Sequence, residues 1–148
     1  MKNIKSKPIE QIEEEAEVDM ELRIDRTEED SANTPKIFNK YYKEYRIVKT
    51  ELIHSQLALK RMWRDKWYYY MGKAHPDVYK KQPLDHKIMK SDVKMHIESD
   101  DDILKLTFTI EMLEMKKKFI EDKLKEINNR SYHIGNIIKT LYFKQGIN

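Results

Sequence analysis

The sequence predicts an all-α protein: two long amphipathic helices joined by a proline-containing connection, preceded by an acidic N-terminal arm, and forming oligomers. Three observations carry this expectation. Only three glycines and four prolines occur in 148 residues, too few for turn-rich β structure. Apolar residues recur at spacings of three and four along two long stretches, the period of one helix face. With 37% of its residues charged, a chain of this size has little apolar surface for a thick core and gains from burying its helix stripes against other copies.

The arm spans residues 1–34. Pro8-Ile9-Glu10-Gln11-Ile12 opens a short helix with proline in its first turn. Val18, Met20, Leu22 and Ile24 then alternate with charged residues, which suits an extended segment. Asp30-Ser31-Ala32-Asn33-Thr34-Pro35 is a turn or helix-entry signal. A mostly solvated tail fits the same composition.

From Lys36 to Met71, the residues Tyr41, Tyr45, Val48, Leu52, Ser55, Leu59, Met62, Lys66 and Tyr69 fall on one helical stripe. They predict a helix of about 54 Å, closed at Gly72. Residues 73–93, with Pro76 and Pro83, read as an irregular connection. Ser99-Asp100-Asp101-Asp102 then supplies an N-cap and an acidic first turn for a second long helix.

The stripe of that second helix runs Ile103, Leu106, Ile110, Leu113, Lys117, Ile120, Leu124, Ile127, Ser131, Ile134, Ile138, Leu141. Ten of the twelve are apolar, against about five expected from the 39% hydrophobic content, so a heptad pattern is well above background. Ile110, Leu113, Ile120, Leu124, Ile127, Ile134, Ile138 and Leu141 are the candidate oligomerisation residues. Phe108, Met112, Met115, Phe119, Tyr142 and Phe143 lie off the stripe as a candidate second contact surface.

Charge is unevenly distributed. Residues 1–35 carry five Lys/Arg against eleven Asp/Glu, residues 36–94 fifteen against six, and residues 95–148 nine against nine. The middle third is therefore the part that attracts a polyanion. The chain has no cysteine, which excludes disulfides and cysteine-based metal sites. Neither an apolar signal region nor a membrane-length apolar run occurs, so a soluble, unsecreted protein is expected.

Three scattered glycines allow neither a GxxxxGK[ST] loop nor a GxGxxG fingerprint. The five histidines stand at least ten residues apart, and no metal or other cofactor is expected. Asp100, Asp101 and Asp102 would suit a magnesium-dependent nuclease, but helix capping accounts for them with fewer assumptions.

The most informative stretch is Leu59–Lys73, LKRMWRDKWYYYMGK, which holds both tryptophans, three consecutive tyrosines, five cations and one acid. Rings interleaved with Lys and Arg hold single-stranded nucleic acid, because bases stack on the rings while cations neutralise phosphates. With Leu59 at 0° on a helical wheel, Met62, Trp63, Tyr69 and Tyr70 fall on the core arc. Trp67, Lys60, Arg64, Tyr68 and Arg61 span about 80° to 200°. Lys60, Arg61 and Arg64 are the candidate phosphate contacts and Trp67 and Tyr68 the stacking platforms, with Lys73 just beyond the helix end. Lys66 falls on the buried arc and is expected to reach an edge by its stem or to face another subunit.

The order Ile24-Asp25-Arg26, Pro35-Lys36-Ile37-Phe38-Asn39-Lys40-Tyr41-Tyr42, then a basic helix closing in Tyr69-Tyr70-Met71-Gly72-Lys73, resembles the UvsY-type recombination mediator proteins of tailed bacteriophages. The similarity continues through Ala74-His75-Pro76-Asp77-Val78-Tyr79-Lys80, Ser99-Asp100-Asp101-Asp102-Ile103-Leu104-Lys105 and Ile127-Asn128-Asn129-Arg130-Ser131-Tyr132-His133-Ile134. The tract Met62–Trp67 is richer in tryptophan than expected of a relative.

The resemblance implies a non-enzymatic mediator in the cytoplasm of an infected host cell. It would bind single-stranded DNA, contact a RecA-like phage recombinase and the phage single-stranded-DNA-binding protein, and help the first replace the second. It also implies a ring oligomer, a heptamer in the family, and no membrane partner. The family's basic pair maps to Lys60 and a nearby Arg when anchored on Leu59-Lys60, and to Arg64 and Lys66 when anchored on the tyrosines. Residues 35–148 are thus expected to form a helical DNA-binding and oligomerisation domain. A structural coiled-coil scaffold without direct DNA function is the alternative. Glu13–Glu17 are candidates for engaging the recombinase or mimicking DNA.

Overall fold

The computed structural model describes residues 5–146. The chain runs through α1 (Ile9–Met20), a short 3-10 turn (Ile24–Arg26), α2 (Thr27–Tyr70), α3 (Pro76–Lys81), α4 (Val93–Glu98) and α5 (Asp101–Lys144), with no strand among the described residues. Both α2 and α5 are 44 residues long. Packing divides the chain into two units: the described residues up to Glu51 with those from Met115 onward, and Leu52–Glu114. The all-α expectation with two long helices holds. The connection also contains two six-residue helices, α3 and α4, which low periodicity had hidden.

In the first unit α1 is docked. Ile9, Ile12, Ala16 and Met20 follow a 3-4-4 spacing, and Ile12 and Ala16 are buried, as are Tyr41, Val48, Ile120, Ile127 and Ile134. Val18 and Met20, expected in an extended run, instead close the helix; a four-residue alternation is too short to outweigh the helical register before it. Extended backbone is confined to the short link, as at Glu21 (ψ 129°) and Arg23 (ψ 132°).

The acids of α1 meet cations of α2 and of the preceding residues. Lys40 Nζ lies 3.0 Å from Glu15 and 2.6 Å from Asp19, and the Tyr41 hydroxyl donates to Asp19 at 2.9 Å. Lys7 pairs with Glu15 at 3.0 Å. Hydrogen bonds from Lys7 and then Lys40 hold the Glu15 carboxyl at about 2, well below its ordinary 4.5. Arg130 of α5, only 3% exposed, donates to the Asp19 carbonyl at 2.6 Å and sits 3.6 Å from Asp30. Glu13, Glu14 and Glu17 stay exposed.

The first long helix starts at Thr27, nine residues ahead of the expected Lys36, with Pro35 in its interior. Glu28, Glu29 and Asp30 fill its first turn, where carboxylates complement the helix dipole. Pro35 removes one backbone donor, while the Thr34 hydroxyl donates to the Asp30 carbonyl at 2.9 Å and Asp30 is tied to Arg130. The proline is thus carried by a turn that tertiary contacts already hold.

The α5 stripe corrects a second expectation. Ile110, Leu113, Ile120, Ile127 and Ile134 are buried within a single copy, and Leu124, Ile138 and Leu141 are half-buried. The five buried residues are core of the chain, while the other three keep part of their surface open. The large apolar residues left exposed on α5 are Leu104, Phe108, Met112 and Met115, and toward the helix end Tyr132, Tyr142 and Phe143.

The Glu15 cluster generates a pH prediction. A carboxyl whose folded value is depressed adds stability above its unfolded value, and that stability is lost as pH falls through the folded one. Glu15→Gln should lower the melting temperature at pH 7, and its gap from wild type should close between about pH 4.5 and about pH 2. Circular-dichroism melts across that range check this; a gap independent of pH refutes it.

Candidate nucleic-acid interface

The second unit is built around buried Val93, Ile97 and Ile103, against which Leu59, Met62, Trp67, Tyr70, Met71 and Ile88 pack. The C-terminal part of α2 brings four of those six partners, and Met71 follows directly after it. The helix ends where expected. Gly72 adopts φ +74°, its N–H donates to the Tyr69 carbonyl at 3.1 Å, and the Lys73 N–H donates to the Tyr68 carbonyl at 2.9 Å. This is a Schellman closure, which needs a left-handed residue and so selects glycine.

At the start of α5 the capping residue is Asp100. Its Oδ1 accepts the Asp102 N–H at 3.0 Å, while the Ser99 hydroxyl turns back to the Met95 carbonyl at 2.8 Å. The Tyr70 hydroxyl donates to Asp100 Oδ2 at 2.7 Å. Lys66 Nζ sits 2.9 Å from Asp100 and 2.7 Å from Asp102. Burial lowers the Lys66 ammonium, but hydrogen bonds to Asp102 and Asp100 outweigh it and the net shift is upward. Burial raises the Asp100 carboxyl, and Tyr70 and Lys66 reverse that to a net lowering. Both groups are charged at neutral pH. Lys66 is therefore neither free for phosphate nor waiting for another subunit.

Of the seven candidate DNA residues, Lys60, Arg61, Arg64, Tyr68 and Lys73 are exposed. Lys60 and Arg61 pair with no described residue. Arg64 donates to Asp65 at 2.9 Å with both side chains more than 60% exposed, and such a surface pair contributes little. Lys66 is engaged as above. Trp67 is half-buried against the core, its edge meeting Tyr68 at 5.4 Å, with Lys73 Nζ 5.4 Å from its ring centroid.

The two tryptophans thus exchange the positions read from the wheel: Trp67 is packed and Trp63 is exposed. A wheel assumes that the covering partner lies on one side along the whole helix. Here the cover comes from α4, the start of α5 and Ile88, and it reaches Trp67 on the last turns but leaves Trp63 more open. Also unread in the sequence was Tyr79 of α3, whose ring stacks on Tyr69 at 5.5 Å and 18° and whose hydroxyl donates to the Tyr69 carbonyl at 2.8 Å. The only signal for it was a tyrosine three residues after Pro76.

The model of one protein family, described as "Recombination, repair and ssDNA binding protein UvsY", matches residues 12–147. The chain belongs to the UvsY family. Among solved structures, the bacteriophage T4 recombination mediator protein UvsY is similar in fold. One crystal form gives a TM-score of 0.81 at 20% identity, covering 94% of this chain and 98% of that one. Another gives 0.77 at 19% identity, covering 93% and 99%. No curated protein sequence matches the chain. Among the described residues no group of three or more acidic or histidine side chains is placed to hold a metal ion, and no helix is long and apolar enough to cross a membrane.

The exchange of tryptophans is testable by denaturant unfolding. Trp67→Ala should cost roughly 2–4 kcal/mol, as for a large side chain removed from a packed site, and Trp63→Ala, on a ring left 37% exposed, should cost less. Equal losses contradict the assignment.

Proposed function

We propose that this protein is a non-enzymatic recombination mediator acting in the cytoplasm of an infected host cell. It binds single-stranded DNA and promotes loading of a RecA-like recombinase in place of the single-stranded-DNA-binding protein. Membership of the UvsY family over residues 12–147 is the observation that carries this reading. The exposed cations of the α2 end support it at residue level. Lys60, Arg61 and Arg64 take phosphates, Lys73 extends the track, and Tyr68 and Trp63 offer ring faces, each worth roughly 1–3 kcal/mol per stacked base. Arg64 exchanges Asp65 for a phosphate at little net cost. Lys66 serves as a brace that holds the helix end against α5.

A ring of several copies belongs to the same proposal. Its contacts draw on the exposed apolar residues of α5, such as Leu104, Phe108 and Met112, since Ile110, Leu113, Ile120, Ile127 and Ile134 of the heptad stripe are buried within each copy. Several strips joined in one assembly bind a strand more tightly than any one alone, because each later contact forms at high effective concentration.

The triple variant Lys60→Ala, Arg61→Ala, Arg64→Ala tests the DNA role. For single strands each lost phosphate contact lowers the salt slope by about 0.7, so the slope should fall by about 2 in a filter-binding titration. Recombinase loading onto strands covered by the single-stranded-DNA-binding protein should fall in parallel. Unchanged binding and loading would favour the scaffold alternative.

Assembly is tested by Phe108→Asp, on a residue 67% exposed. The variant should elute as a smaller species in size-exclusion chromatography with light scattering while its far-UV circular dichroism keeps the helical content of wild type; its melting temperature falls only by what assembly contributes. A wild-type chain that is already monomeric at micromolar concentration removes the ring from the proposal.

A further inference from the structure

A cleft of about 510 Å³ opens beside the basic strip, between the last turns of α2 and helix α3. Its volume lies within the roughly 300–1,000 Å³ typical of small-ligand sites. Tyr68, Tyr69 and Val78 line it together with Lys73, His75 and Gln82. Tyr68 and Val78 remain 44% and 40% exposed, apolar surface left open to water at its walls.

The cleft is built of fixed parts. Tyr69 is held by its stack on Tyr79 and by its hydroxyl, which donates to the Gln82 carbonyl at 3.2 Å. Tyr68 is braced edge-on by Trp67, itself packed on the core. The Tyr79 hydroxyl ties Tyr69 to the turn that follows, accepting the Ala74 N–H at 3.2 Å.

Around these walls stand groups suited to a polar planar edge. The Gln82 carboxamide, a donor and an acceptor on one exposed side chain, makes no hydrogen bond within the described residues. The Asp77 N–H donates to His75 Nδ1 at 3.2 Å and the Asp77 carboxylate lies 3.4 Å from the same nitrogen, which leaves Nε2 as the ring nitrogen open to a ligand. Flat apolar walls with an amide and an imidazole edge match a nucleobase better than a phosphate, whereas the adjoining Lys73 suits the phosphate that would follow it.

We propose that this cleft takes up one unstacked nucleobase of the bound single strand, with its flanking phosphates on Lys73 and Arg64. The inference rests on the single-stranded-DNA reading above and adds to it a docking point that sets where the strand begins or ends on each subunit. A paired base cannot enter, so the cleft also disfavours duplex.

The test compares two oligonucleotides of equal length, oligo-dT and a strand of abasic residues that keeps every phosphate. Val78→Phe fills the cleft from an exposed position. It should weaken oligo-dT binding about five- to tenfold, within the range of one lost base stack, and leave the abasic strand unaffected. Gln82→Ala, which removes only the amide, should weaken oligo-dT about threefold, again without effect on the abasic strand, and it keeps the test decisive should Val78→Phe fold poorly. Equal weakening for both strands, or none, overturns the cleft while the DNA-binding role stands. Wild-type protein that binds neither strand overturns that role and the cleft with it.

Discussion

The candidate interface depends on one carboxylate. Asp100 caps α5 through the Asp102 N–H and receives the Tyr70 hydroxyl and the Lys66 ammonium of α2. Lys66 and Tyr70 are four residues apart, hence on one face of the helix. Tying that face to the start of α5 fixes the rotation of α2 about its own axis. The opposite face, with Lys60, Arg61, Arg64 and Tyr68, is then directed to solvent. A half-buried ion pair of this kind is weak evidence for stability, because desolvation cancels much of the attraction. Its effect here is orientation.

The cations of the chain therefore fall into two groups that a charge count merges. Lys40 and Arg130 are bound to the acids of α1 and early α2, and Lys66 to the acids of α5. These hold the fold. Lys60, Arg61 and Lys73 have no carboxylate partner among the described residues, and Arg64 has only an exposed one. Within the N-terminal arm, Glu15, Asp19 and Asp30 are engaged by these cations, while the other acids, Glu13, Glu14 and Glu17 of α1 among them, face solvent.

What the sequence disclosed follows from which features are local. The Gly72 stop was legible because a left-handed closing residue is a property of the helix end itself. The long periodic stripes were legible because apolar spacing reports one buried face wherever the partner lies. Periodicity does not report whether that partner belongs to the same chain, so Ile120 and Ile127 read as seam when they are core. The Thr27 start was hidden by Pro35, whose usual meaning is a boundary; a buried Arg130 and its link to Asp30 reverse that meaning, and no residue near Pro35 announces it. Trp63 and Trp67 were exchanged for the same reason, since the elements covering the helix end come from residues 88–103 and the wheel contains only α2.

The two-group division bears on how a mediator would work. A protein that hands a strand to another must hold it without trapping it. Exposed cations with no buried partner give contacts that are individually weak and screened by salt, and Arg64 has Asp65 at hand to reclaim it when a phosphate leaves. Replacing such contacts by buried, fully paired ones would slow release, because each would have to be broken against an uncompensated charge. Strong retention is then left to the number of strips engaged together, and loss of a few neighbouring contacts is enough to free one segment while the rest of the strand stays bound. A rigid brace at Asp100 and Lys66 suits this arrangement: the binding surface keeps its shape while its individual contacts form and break.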